Sequence, residues 1–161
     1  MFTDEQVESI VEVLLVSEPE TKIYLGCDSV RFKRNGKPWA RYATVCIIHI
    51  HRAGRGVGCR LFSHTSSEPI FEKKINQPRM RMMREAHLVT DLAMQLLPLI
   101  DEFGVEIHLD INTDPKHGSS VAAKEAANHV MGYTGIRAKL KPESFAASFG
   151  ADHIANGKAI R

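Results

Sequence analysis

At 161 residues, with 43% apolar content and a net charge of +2, the chain has the length for one globular domain around a single sizeable core. No apolar run approaches the roughly 18 residues needed to cross a bilayer. The start, Met1-Phe-Thr-Asp-Glu-Gln6, lacks the basic stretch and apolar core of a secretory signal, so a cytoplasmic location with no membrane partner is expected.

In chain order, a helix is predicted over 4–16. Thr3 and Gln6 have capping-box spacing, and Val7, Ile10, Val11, Leu14 and Leu15 form one apolar stripe. A strand follows over 21–28. Asn35-Gly36 marks a turn into a second strand over 39–50, and Arg52-Ala-Gly-Arg-Gly56 turns the chain into a third over 57–65. A long helix is predicted over 79–102, with Pro98 to kink or shorten it and Gly104 to stop it. Then come a strand over 105–112, a helix over 119–131 stopped by Gly132, and a short strand over 135–140. A last helix begins after Ser144 and ends by Gly157. Past the first helix the order is β-β-β-α-β-α-β-α. That order predicts one α/β domain over 1–161: a mixed five-stranded sheet flanked by helices, with 1–18 as an N-terminal helical addition. Ligands in such a sheet sit at the carboxyl ends of parallel strands.

Cys27, Cys46 and Cys59 are odd in number and lack CxxC spacing. They read as small buried hydrophobes, not as a disulfide or zinc framework. Basic residues cluster at 31–37, 52–60 and 79–84, the pattern of a surface that meets phosphate or of an ordinary solvated one.

Four acids occupy positions that should be covered. Along 22–28, Ile23, Leu25 and Cys27 point one way and Tyr24, Gly26 and Asp28 the other; along 106–112, Asp110 shares a face with His108 and Asn112. Gly26 leaves room for something to approach the Asp28 face. Glu85 lies on the helix stripe of Met82, Leu88, Val89, Leu92 and Leu96, near that helix's start. Asp152 stands three residues after Phe149 on the apolar line of the last helix, where Gly150 and alanines 146, 147 and 151 allow close packing. An ionised carboxylate buried alone costs several kcal/mol, so each needs a cation or donors nearby. Any one of them could be a structural acceptor, and Arg81 is one turn before Glu85. Four on separate elements point instead to a shared divalent-metal site.

The element order, with acids on the first strand, first long helix, fourth strand and last helix, resembles the ribonuclease H-like superfamily, and more narrowly its YkuK-type members from bacteria and phages. Tyr24-Leu-Gly-Cys-Asp-Ser29, His108-Leu-Asp-Ile-Asn112 and Lys141-Pro-Glu-Ser-Phe-Ala-Ala-Ser148 leading into Ala151-Asp-His153 carry the likeness, which spans about residues 20–158. The resemblance implies that Asp28, Glu85, Asp110 and Asp152 hold two Mg²⁺ or Mn²⁺ ions. With His153 or His117 as proton carrier, they would hydrolyse phosphodiester bonds in RNA, RNA–DNA hybrid or branched DNA. Lys33, Arg34 and Lys37 on the hairpin tip, and Lys116 and Ser119 before a helix, are candidate contacts to nucleic acid, with Phe32 and Trp39 able to stack on a base. His49 and His51 form an HxH pair with no third ligand in view. A non-catalytic module binding nucleic acid or protein on the same fold stays open, as does a different phosphoryl-transfer or metal hydrolase. The first helix leaves a homodimer open too.

Overall fold

A four-stranded sheet in the order β3-β2-β1-β4 organises the computed structural model, which describes residues 1–71 and 78–157. Strands β1 (Lys22–Arg34), β2 (Lys37–Arg52) and β3 (Arg55–Pro69) form an antiparallel meander. β4 (Gly104–Leu109) returns parallel to β1 on its other side. The first hairpin turns on Asn35 (φ 51°) and Gly36 (φ 74°), the two left-handed residues that a tight two-residue turn requires. At the second, Ala53 also has φ 52°, and the Glu18 carboxylate accepts from Ala53 N–H at 2.6 Å and Gly54 N–H at 2.9 Å.

Alternation along β1 splits the core in two. Ile23, Leu25 and Cys27 join Ile107, Leu109 and the helices α1 (Asp4–Leu15), α2 (Arg79–Ile100) and α3 (Ala123–Thr134) in the main core. Tyr24 packs on the opposite face with Val45, Ile47, Ala146, Ala151 and Ala155. The capping box at Thr3 and Gln6 forms as expected, and Gln6 Nε2 also donates to Ser63 O at 2.9 Å, tying α1 to β3.

The last helical segment, Phe145 to Ala155, is a π-helix over Ala146–Ala151 that continues as α4 (Asp152–Ala155). Two glycines let it press onto the sheet. A Cβ on Gly26 would stand 2.7 Å from Ala147 N, and one on Gly150 would stand 2.9 Å from Ile47 Cδ1.

Three boundaries depart from expectation. α3 runs through Gly132 and stops at Gly135, whose left-handed φ of 70° supplies the helix end; a 3-10 turn, Gly118–Ala122, precedes it. β4 ends at Leu109, leaving Asp110 just past the strand. The expected fifth strand is reduced to one parallel bridge, His108 to Lys139. Among the described residues its ladder to the β4 segment is Lys139 N–H to Ile107 O, Leu109 N–H to Lys139 O and Lys141 N–H to Ile111 O before Pro142, which has no N–H to continue.

Candidate functional site

β1 and β4 set the site. They run parallel with Cys27 opposite Leu109, so one residue further on Asp28 and Asp110 stand level on the same face. β4 stops there while β1 continues to Arg34, which leaves the edge of β1 beside Asp28 open past the carboxyl end of β4. Asp28 is buried, 8% exposed, and its Oδ1 accepts from Ser29 N–H at 2.7 Å. Asp110 is half-buried: its Oδ1 accepts from the Ser148 hydroxyl, and its Oδ2 lies 3.0 Å from Lys141 Nζ.

Glu85 enters from α2, the other layer, and is fully buried. Its Oε1 accepts from Ser29 Oγ at 2.5 Å and from Arg81 Nη1 at 3.2 Å. The same Arg81 nitrogen donates to Ser29 O at 2.9 Å, so one guanidinium fastens α2 to β1. Glu85 Oε2 is buried with no hydrogen-bond partner among the described residues. Asp152 begins α4, where its Oδ1 accepts from Asn156 Nδ2 at 2.7 Å.

The acids feel one another. Burial pushes the Asp28 carboxyl up to about 7, and the charges of Asp110 and then Asp152 push the same way; Ser29 N–H and Arg81 oppose them. Burial raises Glu85 well above the usual carboxylate range, the Asp28 charge and then Asp110 adding to it, against Arg81 and the Ser29 hydroxyl. Four elements thus bring Asp28, Glu85, Asp110 and Asp152 into one electrostatic neighbourhood, Asp28 and Glu85 buried and Asp110 and Asp152 half-buried.

Each acid is nonetheless turned to a local partner, and among the described residues no three of His, Cys, Asp and Glu are gathered as ready metal ligands. The donor set itself, all carboxylate oxygens with one buried oxygen unpartnered, has the chemistry a hard divalent cation takes.

His108 positions this half of the site. It is completely buried; its Nδ1 accepts from Ala146 N–H at 3.1 Å and its Nε2 lies 3.2 Å from Glu106 Oε2. With the Ala146 amide fixing Nδ1 as the acceptor, Nε2 carries the proton. Tyr24 and Phe145 enclose the ring, at centroid distances of 5.6 and 4.9 Å. His108 therefore pins the start of the π-helix that carries Ser148 and leads to Asp152.

Other expected residues lie further out. His153 is exposed, with Nδ1 3.1 Å from Phe149 O, its own preceding turn. His117 and Lys116 are exposed on the loop after β4, and the Ser119 side chain lies outside the described residues. Lys33, Arg34 and Lys37 are exposed at the β1–β2 tip, and alternation puts Lys33 on the face opposite Arg34. His49 packs edge-on to Tyr24 at 5.0 Å, an aromatic contact of the second core cluster. Sequence reasoning missed Ser29, Ser148 and Lys141 as partners of the acids. Ser148 carried a usable signal, since it lies one turn before Asp152 on the same helix.

The family model for ribonuclease H-like proteins matches residues 5–156. The chain belongs to the ribonuclease H-like family. The match begins inside α1. The chain is also similar to the uncharacterized protein YkuK of Bacillus subtilis (strain 168), at 30% identity over 117 residues, covering 64% of each chain. The chain thus spans a little under two thirds of that relative's length. Among solved structures none matches. Within this family's sheet, Asp28 stands midway along β1 and Asp110 just past the end of the parallel β4. No helix among the described residues is long and apolar enough to cross a membrane.

Proposed function

We propose that this protein is a metal-dependent nuclease that hydrolyses phosphodiester bonds in RNA, RNA–DNA hybrid or branched DNA. The observation that carries the reading is the level pair Asp28 and Asp110 on adjacent parallel strands, with Glu85 and Asp152 close enough to shift or share their charge. Asp28, Glu85, Asp110 and Asp152 would hold Mg²⁺ or Mn²⁺. Two such ions supply charge stabilisation for an in-line displacement at phosphorus and lower the pKa of a bound water.

The chain's own residues do the rest. Asp28, central and buried, presents one carboxylate to both sides of the cluster. Ser29 and Arg81 hold Glu85 through Oε1, leaving Oε2 without a donor among the described residues. Ser148 and Lys141 orient Asp110, and Lys141 also offers a positive charge to an approaching phosphate. Asp152 completes the acid set from α4, and the exposed His153 next to it is placed to carry a proton to or from solvent. Arg34 and Lys37 at the hairpin tip, with Lys33 on its other face and Lys116 and Ser119 beyond β4, supply contacts to nucleic-acid phosphates. Arg and Lys contact phosphate without reading its sugar or sequence, which is why several nucleic acids are named together.

A second reading has an observation of its own. Each acid already has a protein partner and no ready three-ligand group stands among the described residues, an arrangement that suits a binding module which retains the fold without its chemistry. One experiment separates the two. Labelled single-stranded, duplex, hybrid and four-way substrates are incubated with the protein in Mn²⁺, beside Asp28→Asn and Asp110→Asn. Cleavage of at least one substrate by the parent, lost in both variants, is the expected result. No cleavage of any substrate by folded parent, or equal cutting by the variants, sinks the nuclease.

A further inference from the structure

Between Ser29 and Ser67 the chain has eight lysines and arginines and no aspartate or glutamate. This acid-free stretch begins immediately after Asp28, and five of its cations lie on the β1–β2 hairpin between Arg31 and Arg41. The register tells which of them share a face with the carboxylates. Asp28 pairs with Ala43, Val30 with Arg41, Phe32 with Trp39 and Arg34 with Lys37. Alternation places all four pairs on the face that carries Asp28. Arg31 and Lys33 fall on the other.

On that face cations and aromatics interleave. The Arg34 guanidinium lies over the Trp39 ring at 5.0 Å and that of Arg41 over Phe32 at 5.5 Å, and the two rings are 6.5 Å apart at 41°. Arg41 is further held by Ala155 O, which accepts from its Nη1 at 3.3 Å, so the C-terminal helix reaches the face at this level. Phe32 and Trp39 belong to neither core cluster and are half-buried, while Arg34 and Lys37 are exposed. From Asp28 to Arg34 the strand covers about 20 Å.

We propose that this hairpin face is a binding track for single-stranded nucleic acid that leads to the carboxylate cluster. Bases stack on Phe32 and Trp39, and phosphates meet Arg34, Lys37 and Arg41. Every base has a π-face, so such a platform takes any sequence; a base inside a duplex has that face covered, so the platform selects an unpaired strand. No Asp, Glu, Asn or Gln is among the paired residues of this face from Val30 to Arg41, and Asn35 lies in the turn beyond them, which agrees with sequence tolerance. The substrate of the proposed nuclease then has an unpaired run beside the bond to be cut. The track rests on that nuclease reading only for what happens at its far end; binding to the hairpin does not require cleavage.

Trp39 is the sole tryptophan, so its fluorescence reports contact at the track itself. The parent protein, in chelator so that nothing is cut, is titrated at low salt with oligothymidylate and oligouridylate of about ten nucleotides and with a blunt duplex carrying as many phosphates. Both single strands, or one if the sugar matters, should quench Trp39 and bind at least tenfold tighter than the duplex. Trp39→Ala and Phe32→Ala, followed by anisotropy of a labelled strand, should each weaken binding about tenfold. Arg34→Ala, which leaves both rings in place, should reduce the slope of log affinity against log salt by about 0.7. Duplex bound as tightly as single strands overturns the track, and so does a strand that binds by anisotropy while Trp39 fluorescence stays unchanged, or no binding at all. Quenching by single strands together with failure to cut any substrate in Mn²⁺ upholds the track and removes the nuclease.

Discussion

Glu85 is the residue whose surroundings are hardest to explain by stability alone. A fully buried carboxyl with one oxygen unpartnered is costly, and its neighbours Asp28 and Asp110 add like charge. Arg81 and Ser29 offset that cost through Oε1 only. Glutamine at this position keeps an Oε1 that can accept from both and removes the charge. Glu85→Gln should therefore fold at least as stably as the parent, with an unchanged or higher Tm, while metal-dependent cleavage falls roughly a hundredfold or more. Thermal melts and initial rates on the same preparation check this; a large drop in Tm with cleavage retained would make Glu85 structural. Asp110 differs in kind. Half-buried and beside Lys141, it is held by Ser148 from an element distant in sequence, so its orientation depends on how the C-terminal helix seats.

That seating is an element-scale property, and Gly26 controls it. A methyl group there would meet the backbone of Ala146 and Ala147 at 2.7–3.0 Å, and backbone in a packed helix has little freedom to withdraw. Gly26→Ala should cost about 1–3 kcal/mol and displace the π-helix, with Ser148 and Asp152 moving away from Asp110 and Asp28. Denaturant unfolding measures the first effect and cleavage rate the second; a variant as stable and active as the parent would mean the segment is not held as tightly as the contact implies. The close approach at Gly26 was legible in the sequence, as were the two faces of β1 and β4, the capping box at Thr3 and Gln6, and Glu85 on a stripe of apolar residues. All of these are periodicities or local spacings. Alternation within a strand does not say which strand lies beside it, so the level pairing of Asp28 with Asp110 needed the fold. The π-helix was not legible either, because nothing local distinguishes it from an α-helix over the same residues. The fifth strand failed for a related reason: apolar alternation over 135–140 promised a strand, but Pro142 and the short span after Gly135 leave only three ladder bonds.

At the scale of the whole molecule, the carboxylate cluster makes stability depend on pH and on divalent cations together. The folded pKa of Asp28 stands at about 7, above the ordinary 3.8. The folded protein therefore holds that proton more tightly than the unfolded chain does. The contribution is fully present below about pH 4 and is lost as pH rises to about 7, a change on the order of 4 kcal/mol. Glu85, raised in the same direction, adds to the loss. In chelator, Asp28→Asn should match the parent near pH 4 and exceed its Tm at pH 8 by roughly 8–16 °C. Asparagine still accepts the Ser29 N–H, so the comparison isolates the charge. A divalent cation bound by the ionised cluster reverses the penalty, since it stabilises the folded state by mass action. Mn²⁺ at millimolar concentration should raise the parent's Tm clearly at pH 8, much less at pH 5 where Asp28 holds its proton, and little at either pH in Asp28→Asn. Melts of the two proteins with and without Mn²⁺ decide the matter. Equal Mn²⁺ shifts in both proteins would place the ion elsewhere, and no shift in either would leave four mutually repelling acids with only protein partners to hold them.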